Sequence, residues 1–157
     1  MGVSGSGKTT VGRVLAQTLG WTFLDADDFH PQANVAKMAS GVALTDEDRW
    51  PWLDRLADEL RALDERGRHV VLACSALKQA YRDRLARAGA LRWVYLKGDA
   101  TTIEPRVASR LHRYMPASLL KSQFAALEEP GDAIVVDIGK SIDAQVAEIA
   151  ASLRSTV

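Results

Sequence analysis

The sequence predicts an α/β fold in which helices cover both faces of a parallel β-sheet. A glycine-rich stretch at residues 2–9 runs directly into an amphipathic helix pattern. After it, short apolar or β-prone runs alternate with further helix patterns, and these runs lie at residues 21–24, 69–74, 91–96 and 133–136. Strands that alternate with helices at short spacing indicate right-handed βαβ units, which build a parallel sheet.

The helices are placed by their apolar periodicity and their end signals. The predicted spans are about 8–19, 31–40 and about 46–66, followed by a C-terminal helix with Ile142, Val146, Ile149 and Leu153 on one face. Gly20 is a plausible residue to end the first helix. Thr45 and Asp48 resemble a capping box at the start of the third helix, whose leucine stripe is expected in the core.

Length and composition bound the class of protein. The 157 residues predict one domain, 1–157, with a single substantial core. Twenty basic and twenty acidic residues give zero formal net charge, so there is no electrostatic case for nucleic acid or an anionic membrane as partner. The lone cysteine, Cys74, suits a reducing cytosol, and no run approaches the roughly 20 apolar residues of a membrane span. We therefore expect a cytoplasmic enzyme.

The glycine-rich stretch fits the phosphate-binding pattern G-x-x-x-x-G-K-[ST]. The candidate nucleotide-binding residues are Gly2, Val3, Ser4, Gly5, Ser6, Gly7, Lys8, Thr9 and Thr10. Glycines let backbone N–H groups converge on a polyphosphate, and the following helix adds its positive end. Lys8 is expected at the β- and γ-phosphates of ATP, and the Thr9 hydroxyl at Mg²⁺. The alternative, a turn that only caps a helix, is disfavoured because a helical apolar pattern follows at once.

The start of the chain conflicts with this pattern. A phosphate-binding loop normally follows a buried strand, yet only Met1 precedes Gly2. The sequence therefore predicts that the first strand of the sheet is missing from this chain and that the natural protein begins several residues upstream.

Acidic residues follow the predicted strand at 21–24. Asp25, Asp27, Asp28 and His30 come directly after the run at 21–24. Ligands of open α/β sheets lie at the carboxyl ends of the strands. Phosphoryl transfer needs one carboxylate for the water of Mg²⁺ and another to orient a hydroxyl. Three acids in four residues also suit a solvated turn, and only the neighbouring phosphate loop favours the catalytic interpretation. Two roles stay open for Ser75, a hydrogen bond to a Mg²⁺-bound water or a helix cap.

A basic segment at about 106–129 interrupts the alternation. It contains Arg106, Arg110, His112, Arg113 and Lys121. A cationic helix face usually means solvation, but a mobile basic lid also closes over the transferring phosphoryl group in P-loop kinases. The segment is predicted to be such a lid, with Pro116 at a bend.

Taken together, these motifs resemble the gluconokinase family of small P-loop kinases, which are relatives of shikimate kinase. The blocks that carry the resemblance are Gly2-Val3-Ser4-Gly5-Ser6-Gly7-Lys8-Thr9-Thr10, Asp25-Ala26-Asp27-Asp28-Phe29-His30-Pro31, Asn34 with Lys37-Met38, Asp46-Glu47-Asp48-Arg49-Trp50-Pro51-Trp52-Leu53, Cys74-Ser75-Ala76-Leu77-Lys78, and Tyr114-Met115-Pro116 with Ser122-Gln123-Phe124. The resemblance implies a P-loop kinase fold that transfers the γ-phosphoryl group of ATP to the 6-hydroxyl of D-gluconate, with Mg²⁺ as cofactor. It also implies a homodimer.

Site roles follow as hypotheses from the resemblance. Asp25 orients the water of Mg²⁺, and Asp27, ranked above Asp28, accepts the proton of the attacking hydroxyl. Arg49 suits a clamp on the gluconate carboxylate, since a guanidinium pairs with a carboxylate through two hydrogen bonds. Further candidates for the sugar acid are His30, Asn34, Lys37 and Lys78, and candidates for the charge of the transferring group are Arg110 with Arg106 or Arg113. The alternatives are another small-molecule kinase, for shikimate or a nucleoside monophosphate, and a catalytically silent nucleotide-binding protein.

Overall fold

The computed structural model describes residues 1–109 and 119–155, where the expected alternation of helices and parallel strands is present. The helices are α1 (Lys8–Leu19), α2 (Gln32–Ala39), α3 (Asp46–Asp64), α4 (Gln79–Leu85), α5 (Ala100–Ala108), α6 (Leu120–Ala126) and α7 (Ile142–Arg154). The strands are β1 (Thr22–Asp25), β2 (Val70–Ala73), β3 (Val94–Lys97) and β4 (Ile134–Asp137), and 3-10 turns span Ala26–Phe29 and Ala86–Ala88.

The strands pair in parallel, as predicted. Strand β1 pairs with β2, with Leu24 opposite Leu72, and β3 pairs with β4, with Leu96 opposite Val136. In the described part of the chain these are two separate two-stranded sheets. Strand β3 begins at Val94, three residues later than the run at 91–96 predicts.

Helices cover both faces of the strands. Neighbouring side chains of a strand point to opposite faces, and here Leu96 and Tyr95 belong to different parts of the core. Leu96 lies in a cluster with Leu15 of α1 and Ile149 of α7. Tyr95 lies in a second cluster with Leu56 of α3. This two-sided covering confirms the predicted α/β class, with parallel strands and helices on both of their faces. Over the residues that the structure describes, every helix is too short or too polar to cross a bilayer.

Local signals explain where two helices begin. Thr45 Oγ1 accepts from Asp48 N at 3.2 Å, while Asp48 Oδ2 accepts from Thr45 N at 2.8 Å. This reciprocal pair confirms the predicted capping box of α3. Helix α1 begins after Gly7, whose backbone φ of 96° is one that residues with a side chain rarely adopt. Both starts are therefore encoded by a few adjacent residues.

A narrow apolar cavity of about 390 Å³ separates the two strand pairs. Residues of β2 and β3 line it from opposite sides, together with Met1 and Val11. Met1 occupies one end and pairs with β3 as a strand residue would, because its nitrogen donates to Val94 O at 2.5 Å and its carbonyl accepts from Leu96 N at 3.0 Å. Burial lowers the pKa of the Met1 amino group to about 5. At Met1, the edge of β3 is thus paired as it would be by one more parallel strand.

Extending the chain by five apolar, β-prone residues before Met1 should stabilise the fold. The added strand would fill the cavity between β2 and β3, and burial of even one Leu-sized side chain contributes about 2 kcal/mol. Thermal unfolding measures the effect, and a Gly/Ser extension of equal length is the matched control. Equal melting temperatures for the two extended proteins would contradict this account of the cavity.

Candidate active site

The glycine-rich loop packs against α5 at Gly5, and this contact explains the glycine at that position. Gly5 has a φ of 80°, and a Cβ added there would lie 2.7 Å from Val107 Cγ2. A side chain at this position would therefore push the loop away from α5. With Gly7 leading directly into α1, the loop backbone and the helix N-terminus face the same cavity, as a phosphate-binding loop requires.

Lys8 lies across the loop that precedes it. Its Nζ donates to Val3 O at 2.9 Å. Burial lowers the pKa of Lys8, and the negative charge of Asp27 partly opposes that shift. A half-buried cation beside a phosphate loop is placed to receive an anion, since a bound phosphate would stabilise its charged form.

The end of β1 is tied to the start of α1 by the side chain of Asp25. Its Oδ2 accepts from Thr9 Oγ1 at 2.8 Å, and its Oδ1 accepts from Asp27 N at 3.1 Å. The second bond caps the 3-10 turn at Ala26–Phe29. Within residues 1–109 and 119–155 no three Asp, Glu, His or Cys side chains gather as a metal cage. A hydroxyl beside a single carboxylate instead suits Mg²⁺, which keeps several waters and binds phosphate oxygens.

These groups open into a polar cavity of about 120 Å³. Its lining contains many of the predicted site residues, namely Ser4, Gly5, Gly7, Lys8, Thr9, Thr10, Asp25, Asp27, His30 and Arg49. It also contains Met38, Leu44, Trp52, Ser75 and Gln123. Gly2, Val3 and Ser6 belong to the loop but do not line this cavity, nor do Asn34, Lys37, Lys78 and Arg106. The phosphate loop and the acidic strand end therefore share one space.

Of the two neighbouring aspartates, Asp27 lines the cavity and Asp28 does not. The pKa of Asp27 is raised, first by desolvation in the cavity and then by Asp25 and Asp28, while Lys8 opposes the rise. A carboxylate that faces a phosphate loop with a raised pKa is suited to accept a proton. The position of Asp27 thus agrees with its predicted ranking above Asp28.

His30 lines the cavity with an uncharged imidazole ring. Its ring stacks on Trp52 with centroids 4.0 Å apart, its side chain is 4% exposed, and Nε2 lies 3.9 Å from Asp27 Oδ1. Burial, followed by the charge of Arg49, lowers its pKa to about 4. Trp52 is itself fixed, because its Nε1 donates to Ala26 O at 2.8 Å. Trp52 thus packs directly against a predicted site residue, His30.

Arg49 reaches the cavity from the first turn of α3. Its Nη1 donates to Leu44 O and lies 3.5 Å from Tyr81 Oη, and its guanidinium lies 5.4 Å from the centre of the Tyr81 ring. In the described residues no carboxylate is recorded within salt-bridge distance of Arg49. Its positive charge is therefore available to an anionic ligand.

Lys37 and Asn34, two of the predicted substrate residues, are engaged in joining α2 to α3. Lys37 Nζ forms a 2.5 Å ion pair with Asp48 Oδ2, and this bond is the first cause of the pKa of Asp48 falling to about 2. Asn34 is buried and donates from Nδ2 to Asp48 O at 2.9 Å. Both side chains thereby hold the helix that carries Arg49.

Lys78 is similarly engaged on the other side of Arg49. Its Nζ donates to both carboxylate oxygens of Asp46, at 3.0 and 3.2 Å. The Tyr81 hydroxyl also donates to Asp46, and this bond is the first cause of the lowered pKa of that carboxyl group. Lys78 and Tyr81 thus fix the N-terminal turn of α3.

The basic segment is described only at its ends. Arg106 lies on α5, and its Nη2 donates to Ile138 O at 3.1 Å. Arg110 and Arg113 lie outside the described residues. The C-terminal part of the predicted lid, in α6, is packed into the core through Leu120. Gln123, which belongs to one of the motifs that carry the family resemblance, lines the cavity although its sequence context predicts no role for it.

A phosphate-binding loop whose threonine is bonded to a strand-end aspartate defines a P-loop nucleotide-binding protein. A family model described as an AAA domain matches residues 1–130. A gluconokinase from Gluconobacter oxydans is 52% identical over 136 residues, which cover 84% of this chain and 75% of that protein. The chain belongs to the gluconokinase family of small P-loop kinases.

Two further comparisons agree with this assignment. The thermosensitive gluconokinase of Escherichia coli is 44% identical over 147 residues, covering 90% of this chain and 79% of that protein. A crystal structure of a gluconokinase from Sinorhizobium meliloti matches with a TM-score of 0.88 and 39% identity, covering 99% of this chain and 90% of that chain.

We expect His30 to make stability pH-dependent. The unfolded histidine titrates near 6.5 and the folded one at about 4, so between these values only the unfolded chain binds the proton. The contribution of the neutral ring is complete above about pH 6.5 and is lost as the pH falls toward 4. His30→Gln should therefore lose less melting temperature between pH 7 and pH 5 than the unaltered protein. Equal losses would show that His30 is not the group that titrates.

Proposed function

We propose that this protein transfers the γ-phosphoryl group of ATP to the 6-hydroxyl of D-gluconate, giving ADP and 6-phospho-D-gluconate. Membership of the gluconokinase family supports the substrates. The observation that carries the chemistry is the shared cavity, where the phosphate loop with Lys8 faces Asp27. A nucleotide phosphate and an acceptor hydroxyl can meet there.

The loop binds the phosphates of ATP. Its backbone N–H groups and the N-terminus of α1 supply donors to the β- and γ-phosphates, and Lys8 exchanges its bond to Val3 O for the phosphate oxygens. Thr9 and Asp25 would hold Mg²⁺, a role that fits a hydroxyl and a carboxylate already in contact. When bound, the ion would neutralise charge on the β- and γ-phosphates.

Asp27 acts as the general base. It takes the proton of the 6-hydroxyl while the hydroxyl oxygen bonds to the γ-phosphorus, and the bond from that phosphorus to the bridging oxygen of ADP breaks. Desolvation raises the pKa of Asp27, which favours proton uptake, and the charge of Lys8 opposes that rise. The proton leaves the site from Asp27 after the product departs.

Arg49 binds the carboxylate of gluconate. It lines the same cavity as Asp27, and its guanidinium offers a planar pair of donors that matches a carboxylate. His30 lines the same cavity and offers a neutral hydrogen-bonding group to the sugar hydroxyls. The role of Lys37, Asn34 and Lys78 is indirect. They hold α2 and the start of α3 around Arg49 instead of binding the substrate.

Other features stay predictions. Arg106, Arg110 and Arg113 are proposed to neutralise charge on the transferring group from a closing lid. An upstream strand is proposed to fill the cavity between β2 and β3, supported by the strand-like pairing of Met1 with β3. The homodimer and the cytoplasmic location also stay predictions.

Asp27→Asn should lower kcat by two to four orders of magnitude while ATP still binds, because the amide cannot accept the proton. ADP release coupled to gluconate measures the rate. Asp28→Asn is the matched control, since Asp28 lies one residue away but does not line the cavity. Similar rates for the two variants would remove Asp27 as the base.

Arg49→Lys should raise the KM for gluconate roughly tenfold or more, because the ammonium keeps the charge but loses the planar pair of donors. Lys37→Gln tests the contrasting residue, whose charge is engaged with Asp48. This variant should lower the melting temperature. It should change the gluconate KM less than about threefold, which is smaller than the tenfold change that corresponds to one pK unit. The opposite ranking of the two KM values would move the carboxylate clamp to Lys37.

A further inference from the structure

A buried glutamine from α6 touches the phosphate loop. Gln123 is 8% exposed, and its Oε1 accepts from the backbone N–H of Ser4 at 2.6 Å. The two residues are 119 positions apart in sequence, and both line the cavity that contains Lys8 and Asp27. The contact is therefore a tertiary one, made within the site itself.

The position of this glutamine is fixed from both sides of α6. Leu120, on the preceding turn, packs in the same core cluster as Val3 of the loop. After the helix, Glu128 N donates to Leu77 O at 2.9 Å, and Glu128 Oε2 accepts from Gln79 N at 2.6 Å. These contacts anchor α6 at both ends and hold Gln123 against the loop.

The chemistry of an amide suits this place. A backbone N–H at the edge of a cavity needs an acceptor, and leaving it without one costs about 1–3 kcal/mol. A carboxylate would be a stronger acceptor. It would, however, put a negative charge beside the phosphates that the loop binds. The glutamine oxygen satisfies Ser4 without adding that charge.

We propose that Gln123 is a positioning residue for the γ-phosphoryl group of ATP. Its oxygen fixes the Ser4 end of the loop, and its neutral side chain forms the wall beside the γ-phosphate. The inference rests on the phosphate placement given under Proposed function, because the transferring group must lie between the loop and Asp27. Gln123 thereby adjusts the site to a triphosphate rather than a diphosphate.

Gln123→Glu tests the proposal through nucleotide binding alone. The variant keeps the shape and the acceptor but adds a charge near the γ-phosphate, and ADP lacks that group. Titration calorimetry with a non-hydrolysable ATP analogue and with ADP should show the analogue weakened tenfold or more beyond any loss for ADP. A purely structural role would leave the ratio of the two Kd values at the value of the unaltered protein, and that result would overturn the proposal.

Gln17→Glu is the matched control, because Gln17 is exposed on α1 and adds the same charge outside the cavity. Its Kd ratio should not change. Gln123→Met provides a second route if the glutamate variant does not fold, since Met has similar length and no strong acceptor. It should lower kcat about tenfold with an unchanged KM for gluconate, and an unchanged kcat would refute the positioning role.

The proposed function and the proposed role of Gln123 can be refuted separately. If the unaltered protein releases no ADP in the presence of gluconate, the proposed function fails, while the ratio of nucleotide Kd values can still be measured. If gluconate turnover is normal and Gln123→Glu leaves the ratio unchanged, only the role of Gln123 fails.

Discussion

The structure depends on the hydrogen bond between Thr9 at the start of α1 and Asp25 at the end of β1. It joins the phosphate loop to the acidic strand end, and the same carboxylate caps the turn that presents Asp27. A displacement of either element would separate the phosphate site from the base. Because effective proton transfer needs hydrogen-bond distances, this one contact sets the geometry on which the proposed chemistry rests.

The acceptor side of the site is built by ion pairs that remove charges from the cavity. Asp46 pairs with Lys78, and Asp48 pairs with Lys37, both in the first turn of α3. Arg49 directly follows Asp48 in sequence, yet its hydrogen-bond partners are two carbonyls and a tyrosine. Because both lysines are paired, Arg49 is the cation that lines the cavity on the acceptor side, among the residues that the structure describes. Such partitioning gives an anionic substrate a defined place to bind.

On the other side of the fold, the β1–β2 pair and the β3–β4 pair are not hydrogen-bonded to each other in the described part of the chain. With β1 and β2 separated from β3 and β4 by an apolar cavity, the helices α1 and α7 carry much of the contact between the halves. The phosphate loop begins at the end of that cavity, where Met1 pairs with β3 and Gly2 N donates to Ser75 O at 3.2 Å. Loop geometry and sheet integrity are therefore coupled at Gly2.

The sequence by itself determined the features that adjacent residues encode. The glycine loop, the start of α1 at Lys8, the capping box of α3 and the acidic end of β1 all follow from short-range rules of conformation and spacing. Only the tertiary structure decided which charged side chains reach the cavity. Lys37 and Lys78 are captured by aspartates 11 and 32 residues away, and Gln123 meets Ser4 from 119 residues away. Such pairings depend on how helices pack, and no local pattern specifies that packing.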